Sequence, residues 1–245
     1  MVSSRYLSQE LFEGFGQEGQ QQLIDSRVLL VGCGALGSMA AEMMARAGVG
    51  FLRLVDDDQV ELANLHRQLM FTEKDASMSR WKVYTARERL EEINSEIEYD
   101  IYDRRFNEDN GEELAEDVDI IMDCTDNPEA RRAIDTTALR LGIPWVYGGV
   151  AAAVGMVKFV SAHRGETIGD WFDFEADEMT FSPCQDGVIN TIPALVSTVQ
   201  CTEAYKYLTD NEERIEGDLL YIDLWENDFD RIRMAGRREG EAENE

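Results

Sequence analysis

The sequence predicts an α/β fold with a doubly wound, mostly parallel sheet toward the N-terminal side and additional strands toward the C-terminus. Along most of the 245 residues, short apolar runs alternate with helix-length segments, which is the order found in βαβ units. A glycine-rich turn at residues 32–37 joins the first apolar run to a helical segment. A turn of this kind in this place is typical of Rossmann-like nucleotide-binding sheets.

The predicted elements follow in a regular order after a helical lead-in over residues 1–26. Each predicted strand is a short apolar run, and each predicted helix is a longer segment that follows turn or capping residues. The predicted strands are 27–31, 51–55, 97–102, 118–123, 145–147, 152–160 and 219–225. The predicted helices are 35–47, 79–94, 128–141 and 190–208. Together they predict a single domain over residues 1–234.

Two segments depart from this order. Residues 165–189 begin with an acidic and aromatic stretch, and we expect a long crossover loop, a type of segment that is often functional. Residues 235–245 are charged and lack apolar anchors, which predicts a disordered acidic tail. The longest apolar stretch, 143–157, is interrupted by a proline and three glycines, so no membrane span is expected.

The composition argues against nucleic acid as a partner. Fifty acidic residues stand against 23 basic ones, for a formal net charge of −27, and such a surface repels phosphate backbones. Four of the basic residues are lysines and 19 are arginines. Few lysines with an acid excess suit a protein that works in high salt, where screening removes self-repulsion. A halophilic source is therefore one hypothesis, and an acidic protein from an ordinary environment is the other.

The four cysteines contain no C-x-x-C pair: they are Cys33, Cys124, Cys184 and Cys201. Scattered cysteines of this kind predict buried thiols, or one reactive thiol, rather than a disulfide framework. Since no leader-like segment begins the sequence, we expect a cytoplasmic protein.

The glycine-rich turn has the features of a phosphate-binding loop. Gly32 permits a tight turn, Gly34 lets a phosphate approach the backbone, and Gly37 lets strand and helix pack closely. The helix that begins there offers free N–H groups and the positive end of its dipole. Asp56 ends the next predicted strand, where a carboxylate accepts hydrogen bonds from ribose hydroxyls. The sequence thus predicts a nucleotide site, the alternative being a tight turn without a ligand.

The segment that follows Asp56 indicates the kind of nucleotide enzyme. Residues 56–68 read DDDQVELANLHRQ. They resemble the D-x-D-x-V-x-x-x-N-L-x-R-Q signature of the ThiF/MoeB/HesA family, the prokaryotic relatives of ubiquitin-activating enzymes. Further similarity is found at residues 5–6, 19–20, 82–83, 123–127, 184 and 187–188. The resemblance covers roughly residues 5–234.

The resemblance implies an adenylyltransferase that uses ATP to activate the C-terminal carboxylate of a ubiquitin-like or sulfur-carrier protein ending in Gly-Gly. It assigns Arg67 and Lys82 to the phosphates and Asp126 to Mg²⁺. The chemistry agrees, because a carboxylate is already a nucleophile at neutral pH and catalysis then consists of positioning and charge stabilisation. Asp126 also follows a predicted strand at the carboxyl end of the sheet, and carboxylates suit Mg²⁺.

Further positions are expected in the nucleotide site or its frame. Asp58 is placed with the nucleotide. Asn64 holds either the nucleotide or the loop, and Gln68 binds the nucleotide or makes a structural hydrogen bond. Asp123 is either a helper or a strand-end cap, and Asn127 is a candidate N-cap for the next helix.

Cys184 is the expected reactive thiol. It precedes a predicted helix, and a helix N-terminus lowers the pKa of a thiol; the resemblance implies acyl-thioester or acyl-disulfide chemistry with the carrier. Two features depart from the family. Its paired C-x-x-C zinc ligands are missing, so no structural zinc is expected. Ser8 replaces the second arginine of the R-Y-x-R-Q motif, which in relatives reaches the triphosphate of the other subunit of a homodimer. A homodimer is itself implied by the resemblance.

Two other functions fit parts of the sequence. A nucleotide-dependent binding module for a ubiquitin-like protein is favoured by Ser8 and by the missing cysteine pairs, and opposed by Arg67, Lys82 and Asp126. An NAD-dependent oxidoreductase accounts for the glycine-rich turn alone, but we find no His or Lys–Tyr set for hydride transfer. For an adenylyltransferase, the implied pathways are thiamine, molybdopterin, tRNA thiolation or protein conjugation.

Overall fold

The computed structural model describes residues 4–171 and 187–234, and there the predicted α/β order is confirmed. The strands are β1 (Arg27–Val31), β2 (Phe51–Val55), β3 (Glu98–Tyr102), β4 (Ile120–Asp123), β5 (Trp145–Ala151), β6 (Val154–Val160), β7 (Asp218–Asp223) and β8 (Asp228–Arg233). The helices are α1 (Leu7–Glu10), α2 (Gly16–Asp25), α3 (Gly37–Ala47), α4 (Glu73–Ser77), α5 (Lys82–Ile93), α6 (Gly111–Leu114), α7 (Pro128–Leu141) and α8 (Thr191–Leu208). Among these described helices, none has the length and apolar character needed to cross a membrane.

The strands form one sheet in the order β3-β2-β1-β4-β5-β6-β7-β8. Neighbours from β3 to β5 pair in parallel, and β6, β7 and β8 extend the sheet by antiparallel pairing. The chain runs from β1 outward through β2 and β3, and then returns to place β4 on the other side of β1. This reversal opens a crevice at the carboxyl ends of β1 and β4, where open α/β sheets bind their ligands.

Helices cover both faces of the sheet. On one face, α3, α5 and α8 enclose a core that includes Leu30, Met44 and Val196. On the other face, α6 and α7 enclose a core that includes Leu29 and Ile134. Leu29 and Leu30 belong to different cores because successive side chains of a strand point to opposite faces.

Local sequence fixes where α7 begins beside the crevice. The side chain of Asn127 accepts the N–H of Ala130 at 2.8 Å, and Pro128 occupies the first turn, two signals that favour a helix start. The predicted N-cap is therefore confirmed. Gly142 ends the helix with φ 68°, a conformation that glycine adopts without strain. As a result, α7 starts at Pro128, two residues after Asp126.

The structure differs from the prediction mainly toward the C-terminus. β8 was not predicted, because its side chains are exposed along its whole length and form no apolar face. The strand predicted at 145–147 extends to Ala151 and forms a hairpin with β6. In the predicted loop, Ile168–Asp170 form a 3₁₀ turn. Residues 172–186 of that loop and the predicted disordered tail, 235–245, lie outside the described residues.

Gly37 makes the closest approach between the glycine-rich turn and α3. A Cβ at this position would lie 1.9 Å from the carbonyl oxygen of Gly32 and 3.2 Å from the Cβ of Cys124. Because these contacts involve backbone or a short buried side chain, we expect Gly37→Ala to lower the free energy of unfolding by about 3 kcal/mol. Urea unfolding measures this loss. Gly34→Ala is the control, since its Cβ would meet only Nε2 of Gln68, at 3.5 Å; equal losses in the two variants would contradict the prediction.

Asp135 gives the stability of the fold a defined dependence on pH. Its carboxylate, on α7, accepts the N–H of Ile168 at 3.0 Å. Burial, together with the negative charges of Asp170 and Glu166, raises the pKa of Asp135 to about 6. Because this value lies above the unfolded value of about 4, folding favours the protonated acid, and stability is lost as the pH rises from about 4 to about 6.

We therefore expect Asp135→Asn to increase the free energy of unfolding more at pH 8 than at pH 5. Asparagine keeps an acceptor for the N–H of Ile168 and removes the buried charge. Urea unfolding at the two pH values measures the difference. A change of the same size at both pH values would exclude ionisation of Asp135 as the cause.

Candidate active site

A cavity of about 570 Å³ lies at the carboxyl ends of the central strands. Its walls come from the turns after β1, β2, β3 and β4, from the turn before α4, and from the first turns of α5 and α7; Val150 and Val188 complete it. The predicted site residues that line it are Gly32, Gly34, Asp56, Asp58, Arg67, Gln68, Lys82 and Asp126. Gly37 and Asn64 are not part of this lining, and Cys184 lies outside the described residues.

Asp56 connects the glycine-rich turn to the turn after β2. Its Oδ2 accepts the N–H of Cys33 at 2.6 Å, and its Oδ1 accepts the N–H of Asp58 at 2.8 Å. Burial raises the pKa of Asp56, although Lys82 and these two N–H groups act in the opposite direction. An ionised carboxylate has about four lone-pair sites, so Asp56 can fix this backbone and still accept hydrogen bonds from a ligand.

Lys82, the first residue of α5, is a buried cation in the cavity wall. Its Nζ lies 2.6 Å from Oδ2 of Asp58 and 4.0 Å from Oδ1 of Asp56. Burial alone lowers the pKa of the amine, but Asp56 and Asp58 outweigh burial and raise it above its ordinary range. Lys82 is therefore an ammonium ion at neutral pH. Since its side chain is 5% exposed, it is not an ordinary lysine on the surface of a helix.

The turn before α4 brings Arg67 and Gln68 to the cavity. No described residue forms an ion pair or side-chain hydrogen bond with the half-buried guanidinium of Arg67. The Oε1 of Gln68 is buried without a partner in the described part of the chain. Asn64 supports this turn: its carbonyl oxygen accepts the N–H of Arg67 at 3.1 Å and that of Gln68 at 3.0 Å. Its side chain bonds to Glu61 at 3.3 Å.

Asp126 follows a tightly held turn at the end of β4. The buried carboxylate of Asp123 accepts the N–H of Thr125 at 3.0 Å and its hydroxyl at 2.6 Å. Arg131 binds the other oxygen of Asp123 at 3.1 Å and the carbonyl of Thr125 at 3.0 Å. Of its two predicted roles, Asp123 therefore has that of a strand-end cap. The exposed carboxylate of Asp126 forms no hydrogen bond or ion pair with any described residue.

Five charged or aromatic residues of the lining were not predicted, and one of them, Asp57, directly follows Asp56. Arg105 and Phe106 follow β3, and Glu129 and Arg132 lie in the first turns of α7. Arg105 pairs with Asp57 at 3.2 Å. No local motif marks the other four. Their position could have identified them, because the carboxyl end of β3 and the start of α7 both adjoin the crevice of the sheet.

The charges of the lining determine what the cavity can hold. Five carboxylates face four cations among the described residues, which leaves one net negative charge. An added cation would favour the binding of a polyanion such as a triphosphate here. The described residues contain no group of three or more His, Cys, Asp or Glu placed to hold a metal by themselves. Mg²⁺ usually takes one or two carboxylates with phosphates and water, and Asp126 fits that requirement.

The three described cysteines are buried thiols. Burial raises the pKa values of Cys33 and Cys124 far above the ordinary range and that of Cys201 to about 12. These side chains are therefore protonated at neutral pH and unreactive. The reactivity of Cys184 and the expected absence of structural zinc stay predictions.

The N-terminal segment packs at the opposite end of α5 from Lys82. Nη1 of Arg5 donates to the carbonyl of Ile93 at 2.8 Å, and the Tyr6 hydroxyl accepts from Asn94 at 2.8 Å. α5 has 12 residues, which corresponds to about 17 Å at 1.5 Å per residue. Arg5 therefore does not take part in lining the cavity of its own chain.

Comparison with known proteins shows which family the chain resembles. A family model described as the ThiF family matches residues 6–243. The sulfur carrier protein ThiS adenylyltransferase of Bacillus subtilis is 35% identical over 235 residues, which cover 96% of this chain and 69% of that protein. The adenylyltransferase and sulfurtransferase MOCS3 of Culex quinquefasciatus is 32% identical over 236 residues, or 96% of this chain and 53% of that protein. The chain thus spans about half the length of this MOCS3 relative.

Solved structures show the same fold at lower identity. MccB of E. coli superposes with a TM-score of 0.81 at 19% identity, covering 95% of this chain and 72% of that one. PaaA superposes with a TM-score of 0.79 at 21% identity, covering 94% of this chain and 72% of that one. The sheet order, the family match and the Bacillus subtilis relative lead to one conclusion: this chain belongs to the ThiF family.

Proposed function

We propose that this protein is an ATP-dependent adenylyltransferase that activates the C-terminal glycine carboxylate of a ubiquitin-like or sulfur-carrier protein. The main support is the cavity, in which Arg67, Lys82 and Asp126 line one space beside the glycine-rich turn. The names of relatives give further support, since both the Bacillus subtilis and the Culex quinquefasciatus proteins are called adenylyltransferases.

In this reaction, the carrier carboxylate forms a bond to the α-phosphorus of ATP. One carboxylate oxygen attacks, the bond between the α-phosphorus and the bridging oxygen breaks, and pyrophosphate leaves with that electron pair. The products are carrier-acyl-AMP and pyrophosphate. The nucleophile is already ionised at neutral pH. The site therefore needs no general base, only orientation and stabilisation of negative charge.

The cavity residues divide these tasks in the proposed complex. The backbone at Gly34 contacts a phosphate, where a Cβ would meet no close backbone neighbour. Asp56 accepts hydrogen bonds from the ribose hydroxyls, and the unpartnered Oε1 of Gln68 accepts one from the nucleoside. Arg67 and Lys82 stabilise the negative charge that the phosphates acquire as the bond to pyrophosphate breaks.

Asp126 is the proposed protein ligand of Mg²⁺. Two observations support this assignment: its carboxylate forms no hydrogen bond or ion pair with a described residue, and the lining has one net negative charge. A bound Mg²⁺ supplies positive charge next to the phosphates. The arrangement of Asp123, Thr125 and Arg131 keeps the turn that presents Asp126 in one conformation.

The carrier tail is proposed to enter past Val188. A second cavity, of about 480 Å³, is lined by residues that include Ala152, Val154 and Trp225. Val188 lines both cavities, so they adjoin at this residue. A Gly-Gly terminus suits such a passage, because a chain without side chains can approach its walls closely.

The further steps rest on the family resemblance. The thiolate of Cys184 would attack the acyl carbonyl of carrier-acyl-AMP, and AMP would leave, which gives a thioester. A cytoplasmic homodimer is the proposed assembly and location.

ATP–pyrophosphate exchange tests the proposed function. The assay includes Mg²⁺, a panel of carriers ending in Gly-Gly, and both low and molar salt. We expect exchange with one carrier, which would name the pathway, and higher rates in molar salt if the source is halophilic. If the folded protein binds ATP but no carrier of the panel supports exchange, the proposed adenylation is contradicted. That result would favour the nucleotide-dependent binding module, which is also supported by the replacement of the second motif arginine by Ser8.

A further inference from the structure

Lys82 is a buried cation whose nearest counter-ion is exposed to solvent. The side chain of Lys82 is 5% exposed, while that of Asp58, at 2.6 Å, is 63% exposed. Asp56 is the only other carboxylate within 4.0 Å among the described residues. Both oxygens of Asp56 already accept backbone N–H groups, from Cys33 and from Asp58 itself. The two carboxylates therefore differ in how freely they can move.

A buried ammonium ion is costly without a nearby negative charge. Before a nucleotide binds, Asp58 provides that charge to Lys82. When phosphate oxygens arrive at Lys82, the carboxylate of Asp58 is no longer needed there, and two anions beside one ammonium ion repel each other. Asp58 is the anion that can leave, because its side chain regains hydration at the mouth of the cavity.

The main chain at Asp58 is held in place, so this departure requires only rotation of the side chain. The N–H of Asp58 donates to Asp56 at 2.8 Å. The carbonyl oxygen of Asp58 accepts the N–H of Lys82 at 3.0 Å. These bonds leave the side-chain torsions of Asp58 free, and rotation about such torsions in exposed residues takes picoseconds to nanoseconds.

We propose that Asp58 is an exchangeable counter-ion of Lys82. Phosphate oxygens of the bound nucleotide replace its carboxylate on the ammonium group, and the carboxylate returns when pyrophosphate leaves. This inference rests on the proposed adenylation function and assigns to Asp58 control of phosphate affinity and release. No covalent bond changes in the exchange, and the charge on Lys82 is balanced in both states.

The exchange predicts tighter phosphate binding when Asp58 loses its charge. Every phosphate that binds to Lys82 must first displace Asp58. The net binding free energy is therefore smaller by the free energy of the partly exposed ion pair between Lys82 and Asp58. Removing such a pair corresponds to about a three- to fivefold change in an equilibrium constant. In Asp58→Asn, we expect the Kd values of Mg–ATP and of Mg–pyrophosphate each to fall by about this factor. Pyrophosphate should also dissociate more slowly.

Isothermal titration calorimetry of the full chain with Mg–ATP and with Mg–pyrophosphate tests this inference. The variants are Asp58→Asn, Lys82→Met and the double variant. Glu129→Gln is the matched control, because it removes a carboxylate from the same lining without a contact to Lys82. We expect tighter binding in Asp58→Asn than in Glu129→Gln, and no effect of Asp58→Asn in the Lys82→Met background.

Three results would overturn the inference. Weaker binding in Asp58→Asn would make Asp58 a ligand of the nucleotide or its metal. An equal fall in Kd in Asp58→Asn and Glu129→Gln would mean that Asp58 acts only through the overall charge of the cavity. This comparison does not depend on whether Lys82→Met folds. Wild-type protein that binds neither ligand would refute both the proposed function and the counter-ion exchange at Lys82. The first two results would refute the counter-ion exchange alone.

Discussion

Replacing Asp126 with alanine is expected to slow ATP–pyrophosphate exchange by several orders of magnitude while leaving the fold intact. The Asp126 carboxylate lies at the cavity without a hydrogen bond or ion pair to any described residue, so its removal leaves no other group unpaired. Its proposed role is to hold the Mg²⁺ that offsets the phosphate charge, an effect worth several kcal/mol. Each 1.36 kcal/mol is a factor of ten in rate, so the expected loss is about 10³-fold.

The measurements for Asp126→Ala are the exchange rate as a function of Mg²⁺, and the binding of a non-hydrolysable ATP analogue with and without Mg²⁺. Glu129→Ala is the control, since Glu129 lines the same cavity. In wild-type protein, Mg²⁺ should strengthen binding of the analogue, and in Asp126→Ala this gain should disappear. Exchange within tenfold of wild type, at an unchanged Mg²⁺ requirement, would show that another residue holds the metal.

Elements with local signals were predicted closely from the sequence. β1, β2 and α7 have the predicted bounds, Arg27–Val31, Phe51–Val55 and Pro128–Leu141. Two of them are short, mostly apolar runs with a polar residue on one side and a glycine on the other, and the third has a capping asparagine and a proline at its start. These signals depend on neighbours in the sequence, so the rest of the fold is not needed to interpret them.

β8 shows why other elements were missed. Its sequence, DFDRIR, has no buried residue and therefore no apolar face that a pattern could detect. It is a strand because its backbone pairs with β7 along the whole length, from Asp218 opposite Arg233 to Asp223 opposite Asp228. That pairing, with the ion pair between Arg231 and Asp218, arises only when the sheet is assembled.

The candidate site divides in the same way. The glycine-rich turn and Asp56 follow predicted strands, so the strand-end rule located them. Arg105 lines the cavity as well, but it comes from the turn after β3 and no motif includes it. The pairing of Asp58 with Lys82 joins residues 24 positions apart, and the choice of partner depends on how α5 packs. Sequence patterns located most of the predicted residues in one cavity, and the packing determined which charges pair within it.

Arg67 offers the cleanest test of charge stabilisation in the cavity. Since no described residue pairs with its guanidinium, Arg67→Ala should leave the free energy of unfolding within about 0.5 kcal/mol of wild type. Exchange should fall by about 10²- to 10³-fold, the usual cost of removing one preorganised donor to a developing negative charge. Lys82→Ala is a poorer test, because it leaves Asp56 and Asp58 without their cation.

The variant Arg67→Lys separates charge from geometry. Lysine keeps the positive charge but cannot form the two parallel hydrogen bonds that a guanidinium makes to a phosphate. If Arg67 binds a phosphate through two such hydrogen bonds, Arg67→Lys should recover only part of the exchange rate that is lost in Arg67→Ala. Full recovery would mean that charge alone suffices, as expected for a cation that attracts the triphosphate without orienting it. Unchanged exchange in Arg67→Ala would remove Arg67 from the phosphate site, and the buried Lys82 and the turn at Gly34 would then have to position the triphosphate.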